Sequence, residues 1–433
     1  NPGYAREIVN YSAGATVVTA QGAQSIGISA TLSQVRDTLL DRQVLRESSL
    51  TSYYTTLQSA YQRAEAGLGQ TISAAADPST ATDTGVGAAL DDFFNAFQGL
   101  ASSPTDTGAQ QALLSSANIL VDRLQQSDGS LAEAQSDLAV QAGGGVTDAN
   151  TLLQTVATLN GQIARVESGN PGSAVDLRDQ RQSALEQLAA LLPVTVTDTG
   201  NGEVQVASAD SSGTPVVLVS NATVTGPLAF TGTQVTGGTP ASALVLSGGS
   251  IQGAIDASGG ALQSLRDQLD ALTKQLVTAV NAAYNPTGTT GDFFAAGGLT
   301  AGTVSLAGTL TAASLQAGDG SAAGDNSIAT AVAQLAGRKF STAAGDAVDG
   351  TLGASFSGSM TQFGQAIATV NSNVQNQGTI ETMVRSQRDS VSGVNLDEET
   401  ANLLKYQRSF EASSRVLQTI DSLLDEVVNR LMS

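Results

Sequence analysis

The residues that could do chemistry in this chain are mostly carboxylates, because the sequence contains no histidine and no cysteine. Neighbouring acids occur at Asp91-Asp92 and from Asp397 to Glu399, and paired carboxylates can act as general acid and base. The chain nevertheless lacks the commonest general base, the commonest metal ligand and any thiol nucleophile. Consecutive acids on a helix are usually solvated or capping residues. The sequence therefore predicts no catalytic residue, no metal site and no cofactor.

A glycine-rich stretch holds the one arrangement of acids that resembles a calcium loop. Asp319, Asp325 and Asn326 supply oxygen ligands of the kind that calcium prefers. The regular spacing of an EF-hand and its closing glutamate are missing, however. The pattern favours turns over a calcium site.

The charge balance excludes several partners. The chain has 433 residues, with 39 acids against 19 bases and a formal net charge of −20. Binding to nucleic acid requires a basic face that displaces counterions from phosphate, and no cluster of lysine or arginine in the sequence supplies one. Apolar runs stay well short of the roughly 20 residues that cross a bilayer. We expect neither a nucleic-acid partner nor membrane insertion.

The last forty residues carry the clearest periodic pattern. Asn395 is a good N-cap, and Glu398 stands at the third helical position behind it. Beyond this cap, apolar side chains recur in two rows with a heptad period, broken only at Ser413. The predicted assembly seam consists of Leu403, Tyr406, Phe410, Leu417, Ile420, Leu424, Val427 and Leu431. A helix over 396–431 would be roughly 54 Å long and would need a partner helix, from this chain or another, to cover that seam.

Elsewhere the spacing of apolar residues alternates between helical and strand-like. Offsets of three and four residues predict helices at 31–73, 88–101, 109–141, 147–168, 174–191, 252–284, 327–337 and 359–391. Thr31 and Gln34 have the spacing of a capping box for the first helix, and residues 1–30 are expected to be extended chain or loops. A period of two begins after Pro193, and Gly200-Asn201-Gly202 predicts a hairpin turn. Short strands should continue to about Leu246, and a second strand-like stretch covers 293–325.

This order predicts a mainly α protein with an inserted β module, built as an elongated, multi-domain molecule with a long helical body and a terminal coiled-coil helix. Residues 1–30 and 393–433 are assigned to the terminal coiled-coil region. Residues 31–192, 251–292 and 327–392 are assigned to the helical body. Residues 193–250 and 293–326 are assigned to a β-rich outer domain, and the two blocks of the outer domain should lie together.

Both ends of the sequence resemble one family. The stretch from Ser392 to Phe410, SGVNLDEETANLLKYQRSF, resembles the C-terminal signature of flagellar rod, hook and hook-associated axial proteins. Asn1-Pro2-Gly3-Tyr4 resembles the close of their N-terminal motif, which follows a helix. That helix is absent from this numbering, so we expect that the chain as printed starts just behind it.

The middle of the chain is similar to the hook-associated protein 1 family in particular. The similarity lies in Arg36-Asp37 to Leu40, Leu90-Asp91-Asp92-Phe93-Phe94, Leu159-Asn160-Gly161-Gln162-Ile163, Asp176 to Arg181, Val280-Asn281 and Gly291-Asp292-Phe293-Phe294. It covers most of the chain outside the two strand blocks. The family usually has Arg-Asp where this chain has Gln180-Arg181, a departure that leaves the resemblance intact.

The resemblance implies a structural subunit of the bacterial flagellum that joins hook to filament. It implies that terminal helices of many subunits pack into an inner tube, which makes the chain part of a homo-oligomeric ring. Its partners would be the hook protein, a second hook–filament junction protein and an export chaperone at the C-terminal helix. Its location would be extracellular, after export unfolded through the flagellar type III pathway.

Two other function classes stay open at this point. A hook or distal-rod protein shares the terminal signatures, although the helical pattern after residue 31 argues against it. An enzyme or an adhesin carried on a flagellar scaffold would need a catalytic or binding cluster within 193–250 or 293–355. Those segments contain mainly glycine, serine, threonine and alanine.

Overall fold

The computed structural model describes residues 5–13, 16–19, 22–25, 28–68, 85–289, 291–320, 322, 324–393 and 396–431. Within these ranges the molecule is an elongated helical body with a few small antiparallel sheets. The predicted fold class, mainly α with an inserted β module, is confirmed.

The N-terminal residues form two antiparallel pairs of strands, where we expected extended chain or loops. Strand β1 (Glu7–Ala13) pairs with β4 (Ile28–Gln34), and β2 (Thr16–Thr19) pairs with β3 (Gly22–Ser25). The predicted helix start at Thr31 is therefore wrong, because β4 continues through Gln34. The helix begins at Thr38, where the Asp37 carboxylate accepts hydrogen bonds from the backbone N–H groups of Leu39 and Leu40 at 2.9 and 3.2 Å.

The described chain contains nine α-helices, and all but the last form a bundle around one very long member. They are α1 (Thr38–Gly67), α2 (Val86–Ser102), α3 (Thr107–Glu167), α4 (Val175–Leu191), α5 (Gly249–Ala257), α6 (Gln263–Tyr284), α7 (Ser327–Ala333), α8 (Leu352–Ser392) and α9 (Leu396–Leu431). With 61 residues, α3 is roughly 90 Å long. Helix α1 packs against α4, α5 and α8, while α2 and α4 pack along α3. The body thus combines segments from both sides of the strand-rich region.

Glycines explain two differences from the predicted helices. We expected a break at Gly143-Gly144-Gly145, but α3 runs through all three. A Cβ at position 145 would lie 2.9 Å from the Ile251 side chain, so glycine there lets α5 approach α3 closely. The predicted helix 252–284 is instead interrupted by a π-helical turn, Ser258–Leu262, where Gly260 leaves the helical region with φ −95° and ψ −111°. Close packing against α5 thus explains why glycine is accepted inside α3. The conformational freedom of Gly260 permits the irregular turn between α5 and α6.

The β module, defined as strands β5 to β11, lies against the C-terminal half of α3. Strands β5 (Thr195–Gly200), β6 (Glu203–Ala209), β7 (Pro215–Ser220) and β8 (Thr223–Val224) follow one another in an antiparallel meander. A smaller sheet holds β9 (Ala229–Phe230), β10 (Val235–Gly237) and β11 (Ser242–Ala243). The predicted hairpin turn is confirmed, with Asn201 at φ 53° and Gly202 at φ 79°.

The second strand-like stretch, 293–325, differs from its prediction. Its described residues contain one isolated bridge, between Phe294 and Leu306, and a short 3₁₀ turn at Ala312–Ser314. They pack near the N-terminal half of α3, where Gln125 donates to the Val304 carbonyl at 2.8 Å. The β module contacts α3 from Gly143 onward. The ring contacts of Phe293 and Phe294 attach the start of the second block to the helical core, and the assignment of both blocks to one outer domain stays a prediction.

Candidate assembly surface

Helix α9 presents its predicted seam to solvent. In its 36 residues, Leu403 is 59% exposed, Phe410 76% and Leu417 63%. Ile420, Leu424 and Val427 are each about half exposed, and Tyr406 is half-buried. Large apolar side chains that stay in water are expected where a surface meets another protein. The seam is therefore an uncovered apolar stripe on this chain.

Three predicted residues are not tested in this way. Leu431 and Glu398 lie within α9, but their side chains are outside the described part of the chain. Asn395 is outside the described residues altogether. The cap formed by Asn395 and Glu398 stays a prediction.

The exposed apolar surface of α9 is wider than the predicted seam. Leu404, Val416, Leu423 and Val428 are also at least half exposed. Val416 and Leu423 are seven residues apart and directly precede Leu417 and Leu424, so they add a third row beside the two of the heptad. Val416 and Leu423 are not part of the predicted seam, because two rows are enough for a coiled coil, although their seven-residue spacing is visible in the sequence. Three adjacent rows form a wider apolar stripe than the a/d seam of a coiled coil.

The first described residues meet the end of α8, just before α9 begins. The backbone N–H of Arg6 donates to the carbonyl of Ser392 at 2.7 Å, and Val35 N–H donates to the carbonyl of Arg6 at 2.8 Å. Ala5 beside them is buried. The β1–β4 pair and α9 therefore leave the body at the same point.

Ion pairs tie α8 to the rest of the body just before that point. The Glu186 carboxylate on α4 accepts from Arg388 at 2.7 Å and from Arg385 at 3.1 Å. Arg36, in front of α1, pairs with Asp179 of α4 and with Asp41 at 3.3 Å. Burial raises the pKa of Asp41, although the Arg36 charge opposes that shift. These contacts fix the end of α8 from which α9 departs.

One stretch shared with the resembled family anchors the β module. The Asn160 side chain donates to the carbonyls of Val204 and Asn221, both at 2.7 Å, and its oxygen accepts from Arg181 at 2.8 Å. Arg181 also donates to the Gly202 carbonyl at 2.6 Å. Asn160 on α3, in a matching stretch, and Arg181 on α4, where this chain departs from the family, therefore hold the β5–β6 turn against the body.

Three further matching stretches converge on one aromatic cluster. Phe293 lies 5.7 Å from Phe93, 5.3 Å from Phe97 and 5.3 Å from Tyr284 between ring centroids. The Asn281 side chain accepts from the backbone N–H groups of Phe293 and Phe294 at 3.1 and 2.9 Å. This geometry explains the two Phe-Phe pairs, Phe93-Phe94 and Phe293-Phe294, because the rings of one pair pack against the rings of the other.

In the described ranges no group of three or more His, Cys, Asp or Glu side chains is placed to hold a metal ion. Asp325, two residues before α7, accepts from the Ser327 N–H at 3.0 Å and from the Asp319 N–H at 2.6 Å. Among the helices described, none combines the length and apolar character needed to cross a bilayer.

Two family models match the chain. The model described as the helical domain of the flagellar hook-associated protein FlgK matches residues 78–294, half of the chain. The model described as the C-terminal region of flagellar basal body rod FlgEFG proteins matches residues 385–431, which include all of α9. The first model covers α2 to α6 with the β module, and the second covers α9 with its exposed apolar stripe.

Individual proteins agree with these matches. Flagellar hook-associated protein 1 of Bacillus subtilis (strain 168) is 24% identical over 443 residues, covering 92% of this chain and 84% of the relative. The Escherichia coli (strain K12) protein of the same name is 25% identical, with 78% and 80% covered. The structure of the flagellar hook junction protein FlgK from Burkholderia pseudomallei matches with a TM-score of 0.50 at 24% identity, covering 59% of this chain and 47% of that one. That likeness supports the fold.

Proposed function

The chain belongs to the FlgK family of flagellar hook-associated proteins, and from this premise we propose that it joins hook to filament by self-assembly through α9. Membership makes the protein a structural component of the bacterial flagellum. The proposal of self-assembly rests on the uncovered apolar stripe of α9, in which Phe410 is 76% exposed.

The stripe supplies a driving force for assembly that the isolated chain does not use. Burying one large apolar side chain contributes about 1.5–3 kcal/mol before ordering costs. A stripe of three rows is wider than the a/d seam of a coiled coil, so more than one neighbouring helix can pack against it. A closed ring of copies provides such neighbours on both sides of every subunit. We therefore place the homo-oligomer contact at α9 and the hook and second junction protein at the ends of the ring.

The body and the β module have separate roles in this proposal. Residues 393–433, with the N-terminal segment 1–30, would form the inner region. The helical body, 31–192 with 251–292 and 327–392, would form the next layer. The sheets of 193–250 would face outward, supported by the contacts of Asn160 and Arg181.

The apolar stripe of α9 must be shielded from other subunits before assembly. Exposed apolar rows on a free subunit promote unwanted association. A flagellar export chaperone that binds α9 would supply this cover until the unfolded chain enters the type III export pathway. The proposal also assigns no enzymatic activity to the chain, whose relatives are structural proteins.

Electron microscopy of cells that lack this gene tests the proposed function. We expect hooks of normal length without filaments, with filament protein released into the medium. Re-expression of the wild-type gene should restore filaments on the same hooks. Cells without hooks would instead assign the chain to the rod or hook, and normal filaments would contradict a role in joining.

A further inference from the structure

A small pocket between α1, α4 and the β5–β6 hairpin is lined by four arginines. The pocket has a volume of about 110 Å³, and the arginines are Arg36, Arg42, Arg178 and Arg181. This concentration stands out in a chain with 39 acids and 19 bases. Pockets for cofactors and drug-sized ligands are typically several hundred Å³, so the space suits only a small group.

Two of the four arginines are already neutralised by carboxylates of the same chain. Arg36 pairs with Asp179 and with Asp41 at 3.3 Å. Arg178 binds Glu167 through two nitrogens, each at 2.7 Å from a carboxylate oxygen. Neither of these arginines has charge to spare for a ligand.

Arg181 is different, because its acceptors are neutral. The residue is only 6% exposed, and its Nη1 donates to the Asn160 side-chain oxygen at 2.8 Å and to the Gly202 carbonyl at 2.6 Å. Among the described residues, no carboxylate lies within ion-pair distance of it, and no acceptor is bonded to its other two nitrogens. Burial, followed by repulsion from Arg178, lowers the pKa of Arg181 to about 10. A buried cation without an anionic partner is costly.

Arg42 and Asp198 complete the charge balance. Arg42 is exposed at the mouth of the pocket and forms no ion pair with a described residue. Asp198 also lines the pocket, but it is exposed on β5 and accepts from the Gly200 N–H at 2.8 Å. The four arginines face four acids in all, but two of those acids share Arg36, so neither Arg42 nor Arg181 has a direct ion pair among the described residues.

We propose that this pocket binds a carboxylate group, held by Arg181 at its base and Arg42 at its mouth. Guanidinium groups bind carboxylates through parallel N–H donors, and Arg181 retains free donors for that geometry. The carboxylate comes from a free small acid or from an acidic side chain of a second copy. A larger groove of about 590 Å³ adjoins the pocket and shares Arg42, Leu45 and Val196 with it. Its lining combines apolar side chains such as Leu50 and Val194 with polar ones such as Arg46, and the groove gives a polypeptide a path to the pocket.

Titration of the ¹⁵N-arginine-labelled chain with sodium acetate tests the site directly. Acetate replaces chloride at constant ionic strength, and the Arg181 Nε–H signal, assigned with Arg181→Lys, should shift saturably. Arg42→Gln should weaken binding about fivefold, and Asp198→Asn should tighten it by a similar factor, because each changes one neighbouring charge. Arg123→Gln, an exposed arginine of α3 outside the pocket, is the matched control and should leave the titration unchanged. If Arg181→Lys fails to fold, the Tm rise with acetate gives the same ranking for the other three variants.

Sedimentation velocity separates the two sources of the carboxylate. If a second copy supplies it, association of the chain should weaken in acetate and in Arg42→Gln but not in Arg123→Gln. If acetate binds while association is insensitive to Arg42, the ligand is a free small acid. A titration in which wild type, Arg42→Gln, Asp198→Asn and Arg123→Gln respond alike, with association unchanged in all four, overturns the proposal.

Discussion

The helical body and α9 use similar apolar residues in opposite ways. In the body, Phe93 and Phe97 are fully buried among other rings, whereas Phe410 in α9 is 76% exposed. Body helices are also joined by buried ion pairs such as Glu186 with Arg388. The body therefore holds the buried contacts that stabilise the fold, while our proposal assigns assembly to α9, and a substitution in one part should leave the property of the other unchanged. The three predictions below test that separation, from the largest expected loss of stability to the smallest.

The largest loss is expected at the centre of the aromatic cluster. Phe93→Ala removes a ring that contacts Phe94, Phe97, Phe293 and Phe294. It should lower the free energy of unfolding by about 3–5 kcal/mol, since the rigid surroundings leave a cavity. Phe410→Ala, the same change in α9, should alter it by no more than ~0.5 kcal/mol. Urea denaturation of both variants measures the difference, and equal losses would show that α9 is part of the folded core.

That cluster also shows what the sequence could and could not predict. Each aromatic pair was visible, but neither Leu90 to Phe94 nor Gly291 to Phe294 indicates its partner 200 residues away. Residues 293–325 therefore looked like strands on composition, while tertiary contacts hold them as irregular chain. Local signals were sufficient where the structure is local, as in the heptads of α9 and the Gly200-Asn201-Gly202 turn.

The same limit applies to single residues. Gly145 predicts a helix end by propensity, yet the approach of Ile251 makes glycine favourable inside α3. Arg181 was visible as part of a matching stretch, but its lack of a carboxylate partner depends on how α4 faces β5 and β6. Long-range packing decides such features, and periodicity carries no information about it.

An intermediate loss is expected at a buried ion pair, with a defined pH dependence. Burial opposes ionisation of Glu167, but hydrogen bonds from Arg178 and the backbone hold its pKa below the ordinary value. This stability is present above the unfolded-state pKa and is lost as the pH falls through the lower folded-state pKa. Glu167→Gln should therefore cost about 2 kcal/mol at pH 7, and its gap from wild type should narrow as the pH falls below about 4.

Denaturation at pH 7, 5, 4 and 3 measures that gap. The variant is compared with wild type at each pH, because the pH dependence of wild-type stability also includes Asp41. The raised pKa of Asp41 changes stability with pH in the opposite direction. Asp137→Asn removes an exposed pair with Arg63, whose charged atoms are 3.6 Å apart, and should change stability by less than ~0.5 kcal/mol at any pH. A constant gap for Glu167→Gln between pH 7 and 3 would contradict the assigned role of the ionised carboxylate.

The smallest loss of stability should accompany the greatest loss of assembly. Leu417 is 63% exposed and Leu424 more than half exposed on α9, so Leu417→Asp with Leu424→Asp removes little buried surface. The thermal midpoint of the body should stay within ~1 °C of wild type, because neither side chain is buried in the body. In the assembled ring each new carboxylate would be buried without a partner, which costs several kcal/mol per site.

The control variant, Gln418→Asp with Ser422→Asp, places the same charges on the polar face of the helix. Cells that carry this control should swim normally. Immunoblotting of the culture medium must first show that both double variants are exported, since chaperone binding also involves α9 in our proposal. Cells with the exported Leu417→Asp, Leu424→Asp protein should lose their filaments into the medium, and normal swimming by those cells would place the subunit contact outside α9.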